Sequence, residues 1–173
     1  AACLLALQRL WQVRLPAAEL QALALRLGAD VPFFLSGGHA WVEGVGERLS
    51  PITLPSARFL VLKPAAGLST PAIFGAPELK RDTETATMSG FAAHEPGRMF
   101  KFGRNDLQPV AEKLCPDMKQ ALAWLSAQGL QGRMTGSGSA VFAVVPAATD
   151  IAMADLPDGC QAKVCSNLDV HPL

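Results

Sequence analysis

The chain has 173 residues, half of them apolar and 17% charged, which excludes a disordered polypeptide and leaves enough length to bury a real core. Its 15 basic and 15 acidic side chains balance to zero net charge, which argues against nucleic acid or an anionic membrane surface as partner. No apolar run reaches the ~18 residues of a membrane-spanning helix, and no basic segment with a small-residue cleavage site marks a signal peptide.

The first element is a predicted helix over residues 1–12, where Leu4, Leu7 and Trp11 recur at helical spacing and Leu5 and Leu10 widen the stripe. No Met starts it, and no Ser, Thr, Asp or Asn precedes it as a cap. It reads as the interior of a longer helix, so a truncation before Ala1 is expected; a processed, fraying terminus is the alternative. Pro16 suits a first helical position, and Leu20, Leu23 and Leu27 share one face of a second helix over 17–27, which Gly28 ends. Asp30-Val31-Pro32 is expected to be a turn or extended piece, because Pro32 disfavours the helical region for Val31. Residues 39–52 alternate and contain Gly44 and Gly46, which predicts a strand or hairpin.

Residues 58–63 form a short buried strand. The stretch 64–98, rich in Pro, Gly, Ser and Thr, reads as loop with one short helix near 71–74, and its part over 80–97 is expected to be mobile. Helices follow over 105–114 and 116–127, then strands over 130–135 and 140–145, a helix over 147–156 and a strand over 161–165. From residue 57 the order strand, helices, strand, strand, helix, strand is that of a split β-α-β, ferredoxin-like α+β sandwich. Residues 1–56 are two helices and a hairpin, a piece of a domain rather than a closed one. The expected division is therefore 1–56 and 57–173.

Three places could carry chemistry. Asp30 follows a helix end and lies in an almost wholly apolar segment, where an unpaired carboxylate is costly; the plainer alternative is a turn or cap aspartate. Thr135-Gly136-Ser137-Gly138-Ser139 joins two strands, and its glycines permit an inward-facing nest of amides for a phosphate. An ordinary hairpin is the alternative. No Gly-Lys-Ser/Thr follows, so the loop is not a Walker A motif. Thr70, before Pro71, could cap a helix or meet a ligand, and Phe74 could stack on a nucleobase or fill the core. Asn105-Asp106 reads as a helix cap. His39, His94 and His171 show no metal or triad spacing. Cys3, Cys115, Cys160 and Cys165 form no C-x-x-C pair and read as buried or partly buried free thiols of a cytoplasmic protein.

Together, Gly28-Ala29-Asp30-Val31-Pro32-Phe33-Phe34, Gly38-His39-Ala40 and Glu43-Gly44-Val45-Gly46-Glu47 resemble the GHMP kinase superfamily. Thr70-Pro71-Ala72-Ile73-Phe74, Asn105-Asp106-Leu107 and Arg133-Met134-Thr135-Gly136-Ser137-Gly138 continue the resemblance in order, over nearly the whole chain. Within the superfamily these segments are similar to the kinases of the non-mevalonate isoprenoid pathway. The resemblance implies ATP-dependent phosphorylation of the 2-hydroxyl of 4-diphosphocytidyl-2-C-methyl-D-erythritol, with ATP as co-substrate and Mg2+ beside it. It implies that Asp30 accepts or orients the hydroxyl proton, that Thr70, Pro71 and Phe74 wall the cytidine, and that Thr135, Gly136, Ser137 and Gly138 face the phosphates.

The family's catalytic Lys, its Gly-Gly-Gly-Ser-Ser phosphate loop and an aromatic substrate residue lie ahead of the aspartate and do not occur here. By analogy, residues 1–56 are the end of an S5-like first domain, and the chain alone is expected to be inactive. The alternatives are another GHMP kinase, acting on mevalonate-type or homoserine-type substrates, and a non-catalytic binding module.

Overall fold

The computed structural model describes residues 1–147 and 149–170 and divides into two units. Residues Ala1–Pro55, with the described residues from Leu168 on, form the first; Ser56–Asn167 form the second.

The first unit contains α1 (Ala2–Leu10), α2 (Ala17–Leu27) and α3 (Val31–Ser36). It continues with a hairpin of β1 (Ala40–Glu43) and β2 (Arg48–Pro51). Helix α1 has no buried side chain, and α2 buries only Ala24. The end of the chain belongs here rather than to the following domain, because Val170 makes an antiparallel bridge with Gly38.

Helix α3 also corrects the extended reading of Asp30-Val31-Pro32. Pro32 sits in the first helical turn, where its missing N–H has no intrahelical acceptor to lose. The hydrogen bond from Phe34 N to Asp30 O, 3.4 Å, closes that turn. A proline in the first turn thus outweighs the bias it places on its neighbour.

The second unit is built on a four-stranded antiparallel sheet. Its strands are β3 (Arg58–Lys63), β4 (Arg133–Met134), β5 (Val141–Val145) and β6 (Gln161–Ser166). Their spatial order is β4-β5-β3-β6, the ferredoxin-like arrangement, with β3 at the centre. Between β3 and β4 lie α4 (Thr70–Phe74), α5 (Met88–Ala92), α6 (Pro96–Met99), α7 (Gln108–Leu114) and α8 (Pro116–Ala127). Leu60 and Leu62 of β3, Val141, Ala143 and Val145 of β5, and Met118, Ala121 and Leu125 of α8 make one core. They come from one side of each strand and one face of the helix, as the periods of the two elements require.

Three expectations change here. The stretch 80–97 holds helices rather than loop alone: Thr87 Oγ1 accepts from Gly90 N and starts α5, and Phe91 is buried edge-on to Phe102. Helix α7 begins at Gln108, not at 105, because Asn105 Oδ1 accepts from Leu107 N and holds a turn there. The helix expected over 147–156 is absent among the described residues; Ala148 lies outside them. Asp155 takes a left-handed φ of 56°, and Trp124 Nε1 donates to Ala154 O. Ile151 and Leu156 reach the core from a non-helical crossover instead. Tertiary packing overrides a weak local helix preference in this segment.

Candidate functional site

Asp30 stands at the N-cap of α3 in the first unit, yet its side chain makes no capping bond. It is exposed, and its carboxylate has no hydrogen bond or ion pair among the described residues. Neither alternative from the sequence holds in simple form: the carboxylate is not buried, and it is not spent on a turn.

The hairpin turn bears on its position. Gly46 is buried with φ 117°, and a Cβ there would lie 2.1 Å from Ala29 O, next in sequence to Asp30. Only glycine lets the turn press so closely on that backbone. Glu47 folds back over the same turn and accepts from Val45 N at 2.7 Å. The amides of Glu47 itself and of Val45 hold its carboxyl below the usual range.

In the second unit, the first turn of α4 and the β4–β5 loop meet. Ser69, not Thr70, caps α4, its Oγ accepting from Ala72 N at 3.4 Å. That frees the Thr70 hydroxyl, which lies 2.7 Å from Ser137 Oγ. Pro71 follows in the first turn and is exposed. Ile73 is fully buried while Phe74 is 52% exposed, so the core alternative falls to Ile73 and the Phe74 ring is open to a ligand.

The loop is a tight turn, with Gly138 N donating to Thr135 O at 3.0 Å and Gly136 at φ 55°. Thr135 N is also used, by Ala140 O. Part of the expected nest is therefore spent on the hairpin. The amides of Gly136 and Ser137 have no partner among the described residues, and space above Gly136 is open. Gly138 is required differently: φ is 83°, and a Cβ would meet Met134 Sδ at 2.8 Å.

The sequence did not reveal how three residues hold this loop. Asn105 Nδ2 donates to Met134 O at 3.1 Å and to Gly136 O at 2.8 Å, a clamp as well as a turn residue. Ser139 is 1% exposed; its Oγ donates to Ala66 O at 2.6 Å and accepts from Lys63 Nζ at 2.8 Å. Lys63, a cation ending an apolar strand beside Pro64, was the available signal. Ser139→Ala is expected to cost about 1–3 kcal/mol, because the part-buried Ala66 O and the Lys63 ammonium would both lose the hydroxyl that pairs with them. Urea unfolding of the variant beside the parent checks this.

The thiols divide more widely than expected: Cys115 is buried, Cys160 and Cys165 are half-buried, and Cys3 is exposed. Burial raises the Cys160 thiol above its ordinary value.

Comparison with known proteins adds to this geometry. Residues 92–158 match the family model described as GHMP kinases C terminal. The whole chain is 70% identical to a 4-diphosphocytidyl-2-C-methyl-D-erythritol kinase of Polaromonas sp., covering 56% of that protein. It is 67% identical to the protein of the same name in Polaromonas naphthalenivorans, covering 58%. A crystal structure of 4-(cytidine 5'-diphospho)-2C-methyl-D-erythritol kinase superposes with a TM-score of 0.62 at 35% identity, over 82% of this chain and 52% of that one. The chain thus spans a little over half the length of the curated relatives it matches.

Proposed function

Because residues 92–158 match the GHMP kinase C-terminal family model and the chain is 70% identical to part of a named kinase, we propose that it belongs to the GHMP kinase family and that its protein phosphorylates the 2-hydroxyl of 4-diphosphocytidyl-2-C-methyl-D-erythritol with ATP, in the cytoplasm. The observation that carries this reading is the 2.7 Å contact between the hydroxyls of Thr70 and Ser137. It makes one continuous surface of the helix that ends in Phe74 and the glycine loop that faces phosphate.

Each residue then has a role set by its chemistry. The exposed Phe74 ring stacks on the cytosine, with Thr70 and Pro71 completing the wall. The open amides of Gly136 and Ser137 donate to phosphate oxygens, and Thr135 and Gly138 set the turn that aims them. Asp30, an unpaired carboxylate, orients the attacking hydroxyl and accepts its proton as the bond to phosphorus forms. Phosphoryl transfer depends mainly on such positioning and on charge stabilisation, so a small number of fixed groups suffices. Mg2+ accompanying ATP would be held chiefly by the substrate's own phosphates and waters, and would neutralise phosphate charge.

Phe74→Ala is expected to weaken binding of the cytidine substrate by about 1–3 kcal/mol, the range for losing one stacked base. Calorimetric titration with cytidine diphosphate, beside a titration with ATP, tests this in the full-length protein. A loss confined to ATP would overturn the assignment of Phe74, and no affinity for cytidine diphosphate in the parent would overturn the substrate class.

A further inference from the structure

A cleft in the second unit lies apart from the Phe74 wall and uses none of the residues given catalytic or binding roles above. It encloses about 510 Å³, a size suited to a small molecule. Its lining includes Lys80, Lys101, Arg104, Lys113 and Arg133, against the carboxylates of Glu78 and Asp106. A chain with no net charge therefore concentrates a surplus of three positive charges in one cavity. Low-dielectric walls around charges of one sign focus the field and attract an anion.

The pairing of these groups shows which charge is available. Asp106 Oδ1 accepts from Arg104 Nε at 2.6 Å, and Glu78 Oε1 lies 3.8 Å from Lys113 Nζ, so both carboxylates are matched. The Arg133 guanidinium donates to the carbonyls of Phe100, Phe102 and Gly103 at 3.0–3.2 Å. Those acceptors are neutral, so its charge is not cancelled. The ammonium groups of Lys80 and Lys101 make no hydrogen bond or ion pair among the described residues. Two free ammonium groups beside an uncompensated guanidinium suit a compact anion of two or more charges.

One wall of the cleft also holds the glycine loop. Asn105 and Gln108 line the cleft. Asn105 donates to Gly136 O, and Gln108 Oε1 accepts from Met134 N at 2.9 Å. We propose that this cleft binds a small diphosphate-bearing anion at a site separate from the glycine loop, with Lys80 and Lys101 as its principal contacts.

Inorganic pyrophosphate is the probe, titrated calorimetrically into the full-length protein in the presence of a saturating non-hydrolysable ATP analogue, which removes the nucleotide phosphate site from the measurement. One saturable site is expected, weakening as ionic strength rises. Lys80→Ala/Lys101→Ala is expected to lower its affinity about tenfold or more, from the loss of two charge-assisted contacts. The same variant should keep the parent's kcat and KM without pyrophosphate. No saturable binding beside the ATP analogue, or binding unchanged in the double variant, would overturn the proposal. Neither outcome bears on Phe74 or Asp30, so the substrate assignment stands or falls separately.

Discussion

Asp30→Asn is expected to lower kcat by about 10²–10⁴-fold, the usual worth of a positioned acid–base group. The affinity for the cytidine substrate should change little. The substitution keeps the size of the side chain and removes its ability to take a proton. The structure makes this a clean test. The carboxylate caps nothing and pairs with nothing among the described residues, so its loss breaks no contact that supports the fold. Equal falls in kcat and kcat/KM mark an interaction made in the transition state alone. Steady-state kinetics of the full-length protein checks this, and an unchanged kcat would remove Asp30 from the mechanism. Gly46 belongs to the same argument, because it sets the backbone immediately before Asp30.

Leu60→Ala is expected to destabilise the second unit by about 2–5 kcal/mol, a large share of the ~5–15 kcal/mol that holds a domain together. Leu60 is fully buried on the central strand, paired through its backbone with Ala143 on one side and Val164 on the other. A cavity there cannot be filled by movement of an edge strand, because β3 is held by both neighbours. Leu10 is the contrasting position: it is 74% exposed on α1, and Leu10→Ala should change stability by no more than about 0.5 kcal/mol. Thermal and urea unfolding of both variants measures the difference. A loss below about 1 kcal/mol at Leu60 would mean that this core relaxes around the missing side chain.

The elements that could be read in advance were those with strong local signals. Helices α2 and α8 and strand β3 run over the residues expected of them. Each has a proline or glycine at a boundary, or an unbroken apolar run between polar ends. The errors fell where two local signals competed. At Asp30-Val31-Pro32, the bias against a helix before proline met the tolerance of proline in a first turn, and the second prevailed. At 147–156 a modest helical preference met the need to cover the core from a crossover, and Ile151 and Leu156 decided it.

The candidate site divides along the same line. Its residue types and order, from Gly-Ala-Asp to Gly-Ser-Gly, are legible because chain chemistry is local. The same holds for the similarity to GHMP kinases and for the order of the strands, since hydrophobic period and turn residues act over a few positions. Only tertiary structure decided that Ser69 takes the cap and leaves Thr70 to Ser137, residues 67 apart in sequence. It likewise decided that Ile73 rather than Phe74 enters the core, that Asn105 and Ser139 hold the loop, and that five scattered cations share one cleft. These outcomes depend on which groups a folded sheet brings together and which hydrogen-bond partners remain unclaimed there. Burial makes an unpaired polar group expensive, and that cost, set by distant residues, assigns the partners.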